Sequence, residues 1–178
     1  KGEFIFLLDR SGSMAGTRLQ NAKTALTFFI KSLPNDCYVN ICSFGTSHFF
    51  MYPASQKYTP ELVEEILQKV DKFAADLGGT NILDPLVATL KKETIKNYPR
   101  KVYLLTDGDV EDAEKIVKKT KELVGDSVVS CIGVGYDISK YLLMNVAKYG
   151  KGKASFITDT ANIEDEIINL LIQTNSPR

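Results

Sequence analysis

Short unbroken apolar runs alternate along the chain with longer stretches in which apolar residues recur every three or four positions. Unbroken apolar runs suit strands covered on both faces, and the three-to-four spacing suits helices with one buried stripe. The runs at residues 4–8, 38–44, 101–106 and 128–134 predict strands, with a shorter fifth at 154–157. Residues 48–52, after Gly45, predict an edge hairpin. Between them, residues 18–33, 60–74, 85–95, 111–124, 139–149 and 163–173 predict amphipathic helices. In the second of these, Leu62, Val63, Ile66, Leu67, Val70 and Phe73 share one face. Thr59 before Pro60 and Asp84 before Pro85 each put an N-cap residue ahead of a proline at the first helical position. The alternation predicts a doubly wound α/β domain, with a mostly parallel sheet, one antiparallel edge strand and helices on both faces. One such domain is expected over residues 1–178, with its site at the carboxyl ends of the strands.

Composition narrows the class. Lys and Arg total 22 and Asp and Glu total 22, so the net charge is zero and no long-range field favours nucleic acid or an anionic membrane surface. At 44% hydrophobic and 25% charged residues the chain reads as an ordinary folded domain, and no apolar run nears the roughly 20 residues that span a bilayer. The three cysteines, Cys37, Cys42 and Cys131, lie inside apolar runs and are expected to be buried thiols. Five extended steps of about 3.3 Å separate Cys37 from Cys42, beyond disulfide reach. With no signal peptide and no Asn-x-Ser/Thr sequon visible, the expected setting is intracellular, in the cytoplasm.

The candidate chemistry sits where strands end. The first run stops at Asp9 and turns through Ser11, Gly12 and Ser13. The run at 101–106 ends likewise in Thr106-Asp107-Gly108-Asp109, which brings a second carboxylate to the same edge. Between them in sequence, Gly78-Gly79 permits close backbone approach and presents the hydroxyl of Thr80. Three hydroxyls and two carboxylates make an all-oxygen site suited to a hard divalent cation, whereas zinc would want a thiol or imidazole cage.

Asp9-x-Ser11-x-Ser13, Thr80 after a glycine pair, and Asp107 in Leu-Leu-Thr-Asp-Gly together resemble the metal-ion-dependent adhesion site (MIDAS) of von Willebrand factor type A domains. The resemblance covers essentially the whole chain. The run from Tyr58-Thr59-Pro60 through Gly78-Gly79-Thr80-Asn81, with Thr106-Asp107-Gly108-Asp109-Val110, resembles most the subgroup beside inter-alpha-trypsin inhibitor-type (VIT) domains. That subgroup implies a piece of a larger multidomain protein. The resemblance implies direct metal ligation by Ser11 and Ser13, by Thr80 directly or through water, and by Asp9 and Asp107 mostly through water. It implies Mg²⁺ as the cation, with Mn²⁺ or Ca²⁺ as alternatives, and a protein ligand offering a carboxylate to the metal. The implied function is adhesion-type binding, not catalysis, with coupling to movement of the last helix.

Two other functions compete. A Mg²⁺-dependent aspartyl phosphotransferase would use Asp107-x-Asp109, but Glu111 stands where that pattern wants a small β-branched residue. An architectural scaffold would have no need of five converging oxygen ligands. The only histidine, His48, precedes Phe49 and Phe50 on an expected edge strand, which leaves no nucleophile–imidazole pair. The acidic positions Asp109, Glu111 and Asp112 are expected beside the site, raising cation occupancy.

Overall fold

A computed structural model describes residues 1–136, 138–158 and 162–175. The elements in chain order are β1 (Gly2–Asp9), a short 3₁₀ turn (Gly12–Met14), α1 (Thr17–Lys31), β2 (Cys37–Phe44), β3 (His48–Phe50), β4 (Gln56–Lys57) and α2 (Pro60–Asp71). They continue with α3 (Leu83–Lys91), β5 (Arg100–Thr106), α4 (Ala113–Leu123), β6 (Val128–Val134), α5 (Lys140–Tyr149), β7 (Lys151–Ile157) and α6 (Ile163–Asn175).

The strands form one sheet in the order β3-β2-β1-β5-β6-β7, with β4 also on β2. β2, β1, β5, β6 and β7 run parallel, while β3 and β4 pair antiparallel with opposite ends of β2 as one interrupted edge. All eight residues of the central β1 are buried. Their alternation splits the core: Phe4, Phe6 and Leu8 pack toward α1, α2 and α6, while Ile5 and Leu7 pack toward α3, α4 and α5. On the first face Phe6, Phe29 and Tyr103 lie within 5.5 Å of one another, centre to centre. The expected architecture is observed, with six α-helices among the described residues.

Local departures have local causes. Thr59 caps α2 as expected, its hydroxyl accepting from the Leu62 amide at 3.1 Å. The expected cap at Asp84 is wrong: α3 starts at Leu83 with Ile82 at the N-cap position, whose side chain caps nothing, and the first-turn amide is met from Asn81, one residue earlier. Asn81 Oδ1 accepts from the Asp84 amide at 3.1 Å and its Nδ2 donates to Asp84 Oδ2 at 2.8 Å. A side chain that caps from Asn81 leaves Pro85 in the first turn, where no helical amide partner is needed. β7 begins at Lys151, earlier than expected, because this polar edge strand exposes Lys151 and Lys153 and so lacks the unbroken apolar signature.

Away from the carboxyl edge, the wholly buried Arg100 donates to Glu3 Oε1 at 2.7 Å. It also donates to the carbonyls of Thr89, Lys92 and Glu93 at 2.9, 2.8 and 2.7 Å, closing the end of α3. Ser55 donates to the other Glu3 oxygen at 2.7 Å.

The thiols are free and buried. Burial pushes Cys37 up to about 11 and Cys42 up to about 12, and raises Cys131 as well. Since the thiolate is the reactive form, a disulfide reagent at pH 8 is expected to leave the folded protein unlabelled and to titrate three thiols in guanidinium. A thiol that titrates before unfolding would contradict that burial.

Candidate functional site

Parallel pairing of β1 with β5 through Leu8 and Leu105 brings the next residues, Asp9 and Thr106, out at one edge of the sheet. Both are fully buried. Asp9 Oδ1 accepts from the Ser11 amide at 2.9 Å, which turns the chain after the strand, and Asp9 Oδ2 accepts from the Thr106 hydroxyl at 2.6 Å. Thr106 in turn accepts from the Gly108 amide at 3.0 Å, which shapes the second turn. Burial raises the Asp9 pKa and the charge of Asp107 adds to it, while the Ser11 and Thr106 bonds oppose the rise.

Asp107 is also fully buried. Its Oδ2 accepts from the Ser13 hydroxyl at 2.7 Å and from Arg18 Nη1 at 2.9 Å, and its Oδ1 accepts from the Asp109 amide at 3.0 Å. Ser11 Oγ and Ser13 Oγ stand 3.2 Å apart. Two oxygens bound cis at about 2.1 Å to one octahedral Mg²⁺ would stand about 3.0 Å apart, so the serine pair already has the spacing of such a site. Because Ser13 gives its proton to Asp107, the Ser11 hydroxyl is the donor of the serine pair, and one Ser13 lone pair is left for a cation.

The fifth expected ligand arrives on a separate loop. The Leu77 amide donates to Arg10 O at 3.1 Å and the Gly12 amide to Gly78 O at 2.8 Å, tying this loop to the β1 turn. From the β2 side, Thr46 N donates to Leu77 O at 2.8 Å and Thr46 Oγ1 accepts from the Gly79 amide at 2.8 Å. Gly78 has φ +83°, and a Cβ there would lie 2.8 Å from Thr46 Oγ1, so the close clamp needs glycine. Thr80 is thereby held half-buried near the turn, though its hydroxyl has no bond to the other four expected ligands among the described residues. The structure thus joins Asp9, Ser11, Ser13 and Asp107 in one network and brings Thr80 to its edge.

Three contributors escaped the sequence reading. Thr106 and Thr46 act through backbone and carboxylate partners, and only their places beside Asp107 and Gly45 signal them. Arg18, in the first turn of α1, meets Asp107 across 89 residues of chain. His48 lies on β3, edge-on to Phe50 at 5.8 Å. Among the described residues no group of three or more His, Cys, Asp or Glu side chains is placed to hold a metal, so a cation at this edge would rely on hydroxyl oxygens.

A parallel sheet with helices on both faces and a hydroxyl-and-carboxylate turn at its carboxyl edge is the architecture of a type A interaction domain. The von Willebrand factor type A domain model matches residues 2–156, and the chain belongs to that family. The family is one of protein-interaction modules. The chain is 37% identical over 179 residues to von Willebrand factor A domain-containing protein 5A of Rattus norvegicus, covering 96% of this chain and 22% of that protein. It is 35% identical over 171 residues to a von Willebrand factor A domain-containing protein of Dictyostelium discoideum, covering 96% of this chain and 19% of the relative. The chain therefore spans about a fifth of the length of these curated relatives.

Solved structures share the fold. A von Willebrand factor type A protein from Catenulispora acidiphila has a TM-score of 0.83 at 21% identity, over 95% of this chain and 41% of that one. Manganese-loaded TRAP protein of Plasmodium vivax scores 0.72 at 16% identity, over 96% and 72%. Proximal thread matrix protein 1 of the mussel byssus, with a zinc-occupied MIDAS motif, scores 0.67 at 18% identity, over 93% and 44%.

Proposed function

We propose that this domain binds a protein partner through a divalent cation, Mg²⁺ foremost, held by Ser11, Ser13 and Thr80 with Asp9 and Asp107 behind them. The observation that carries the reading is the 3.2 Å serine pair, backed by two buried carboxylates that share one hydrogen-bond network. Metal in the MIDAS of the byssus protein supports it by analogy of fold. The bound cation supplies an electrophilic anchor. Because the nearest oxygens are neutral hydroxyls, little of its charge is cancelled, and a carboxylate from a partner is the favoured further ligand. Subgroup placement beside inter-alpha-trypsin inhibitor-type domains is part of the proposal. It is supported by the run from Tyr58 to Asn81 and by relatives about five times the length of this chain.

Calorimetric titration of Mg²⁺ and Mn²⁺ into metal-stripped protein tests the reading. Saturable binding is expected in the wild type and a loss of about 100-fold or more when Ser11→Ala and Ser13→Ala are combined. Circular dichroism should show the variant folded. Wild-type protein that binds neither ion would instead favour a scaffold that uses another surface.

A further inference from the structure

Arg18 makes an ion pair inside this site. Its guanidinium donates to Asp107 Oδ2 at 2.9 Å, on the same oxygen that takes the Ser13 hydroxyl at 2.7 Å. That oxygen already holds two donors, and Oδ1 holds the Asp109 amide. A third donor, such as water on a cation, meets a crowded carboxylate and a like charge at close range.

The seat of Arg18 is built. Gly135, at the end of β6, has φ +124°, and a Cβ there would stand 2.8 Å from Arg18 Nε. A side chain at Gly135 would collide with the guanidinium, so glycine keeps its path to the carboxylate open. It also has somewhere to go. Arg18 remains 31% exposed, and beside it opens a cleft of about 440 Å³ lined by Ser13, Thr17, Asn21 and Tyr136. Two buried carboxylates, Asp9 and Asp107, need a counter-charge, and among the described residues Arg18 is the one cation in a salt bridge to either.

We propose that Arg18 and a divalent cation compete for Asp107, so that Arg18 sets the cation concentration at which the site becomes able to bind a partner. The inference rests on the metal-dependent reading above. Once displaced, the guanidinium would stand in the cleft beside the cation, a second positive group for a partner carboxylate.

The test uses metal-stripped wild type, Arg18→Gln, and Lys140→Gln as a charge control, since Lys140 follows Ser139, whose amide faces Asp107 O at 3.4 Å. Calorimetric Mg²⁺ titration is expected to show Arg18→Gln binding roughly ten-fold or more tightly than wild type, with Lys140→Gln close to wild type. Equal affinity in wild type and Arg18→Gln would overturn the competition and leave metal binding standing. Absence of binding in both would remove the metal reading and this proposal together. Wild-type protein alone supplies a second readout should Arg18→Gln not fold. The guanidinium NMR signal of Arg18 is expected to be protected without Mg²⁺ and to lose protection on saturation, and an unchanged signal at saturation refutes the displacement.

Discussion

Arg100→Met is expected to lower folding stability by about 3–5 kcal/mol, the cost of breaking a buried ion pair by removing one partner. Glu3 would be left buried with only the Ser55 hydroxyl, and the carbonyls of Thr89, Lys92 and Glu93 would lose their donor together. Guanidinium unfolding with linear extrapolation measures the loss. Adding Glu3→Gln to Arg100→Met should recover part of it, because the stranded charge is removed while the helix end stays unsatisfied. A loss below about 1 kcal/mol in the single variant would mean that water reaches the pair.

Asp9→Asn should separate the two roles of the buried turn. The Asp9 pKa is raised in the fold, chiefly by burial, so its ionised form destabilises the native state. The sign follows: wild-type stability carries a term that falls as pH rises from the unfolded value of 3.8 through the higher folded value. Asparagine keeps an oxygen for the Ser11 amide, turns a donor toward the Thr106 hydroxyl at a cost that does not change with pH, and removes the pH-dependent term. The stability difference between metal-stripped Asp9→Asn and wild type should therefore shift in favour of the variant as pH rises from 3 to 7, read from the unfolding midpoints. Its Mg²⁺ affinity should drop about 10- to 100-fold, as for loss of a group that orients metal ligands. At 100 times the wild-type dissociation constant, Mg²⁺ should stabilise wild type by about 2.7 kcal/mol and the variant by far less. A variant that Mg²⁺ stabilises as strongly as wild type would take Asp9 out of the metal site.

Much of the fold was legible in the sequence. The strand runs at 4–8, 38–44, 101–106 and 128–134 lie within β1, β2, β5 and β6, because buried parallel strands write themselves as unbroken apolar strings. That Asp9, Ser11, Ser13 and Asp107 come to one edge of the sheet was legible because the turns that carry them follow sharp changes from apolar to polar sequence. β7 was read only in its apolar second half, since an exposed edge strand has no such string. Asp84 was misread as a cap because Asn81 offers the same chemistry three residues earlier, and only the backbone path chooses between them.

What the chain by itself determined is periodic or local: the order of strands and helices, their buried faces, the turn after Asp9 and the residue types able to hold a hard cation. Only the tertiary structure decided which distant groups meet. Arg18 reaches Asp107 across 89 positions and Arg100 reaches Glu3 across 97. No spacing in a sequence encodes such a pair: the parallel register of β1 and β5 sets Glu3 opposite Arg100, the start of α1 carries Arg18 to the residue after β5, and the cost of burying a charge selects both partners.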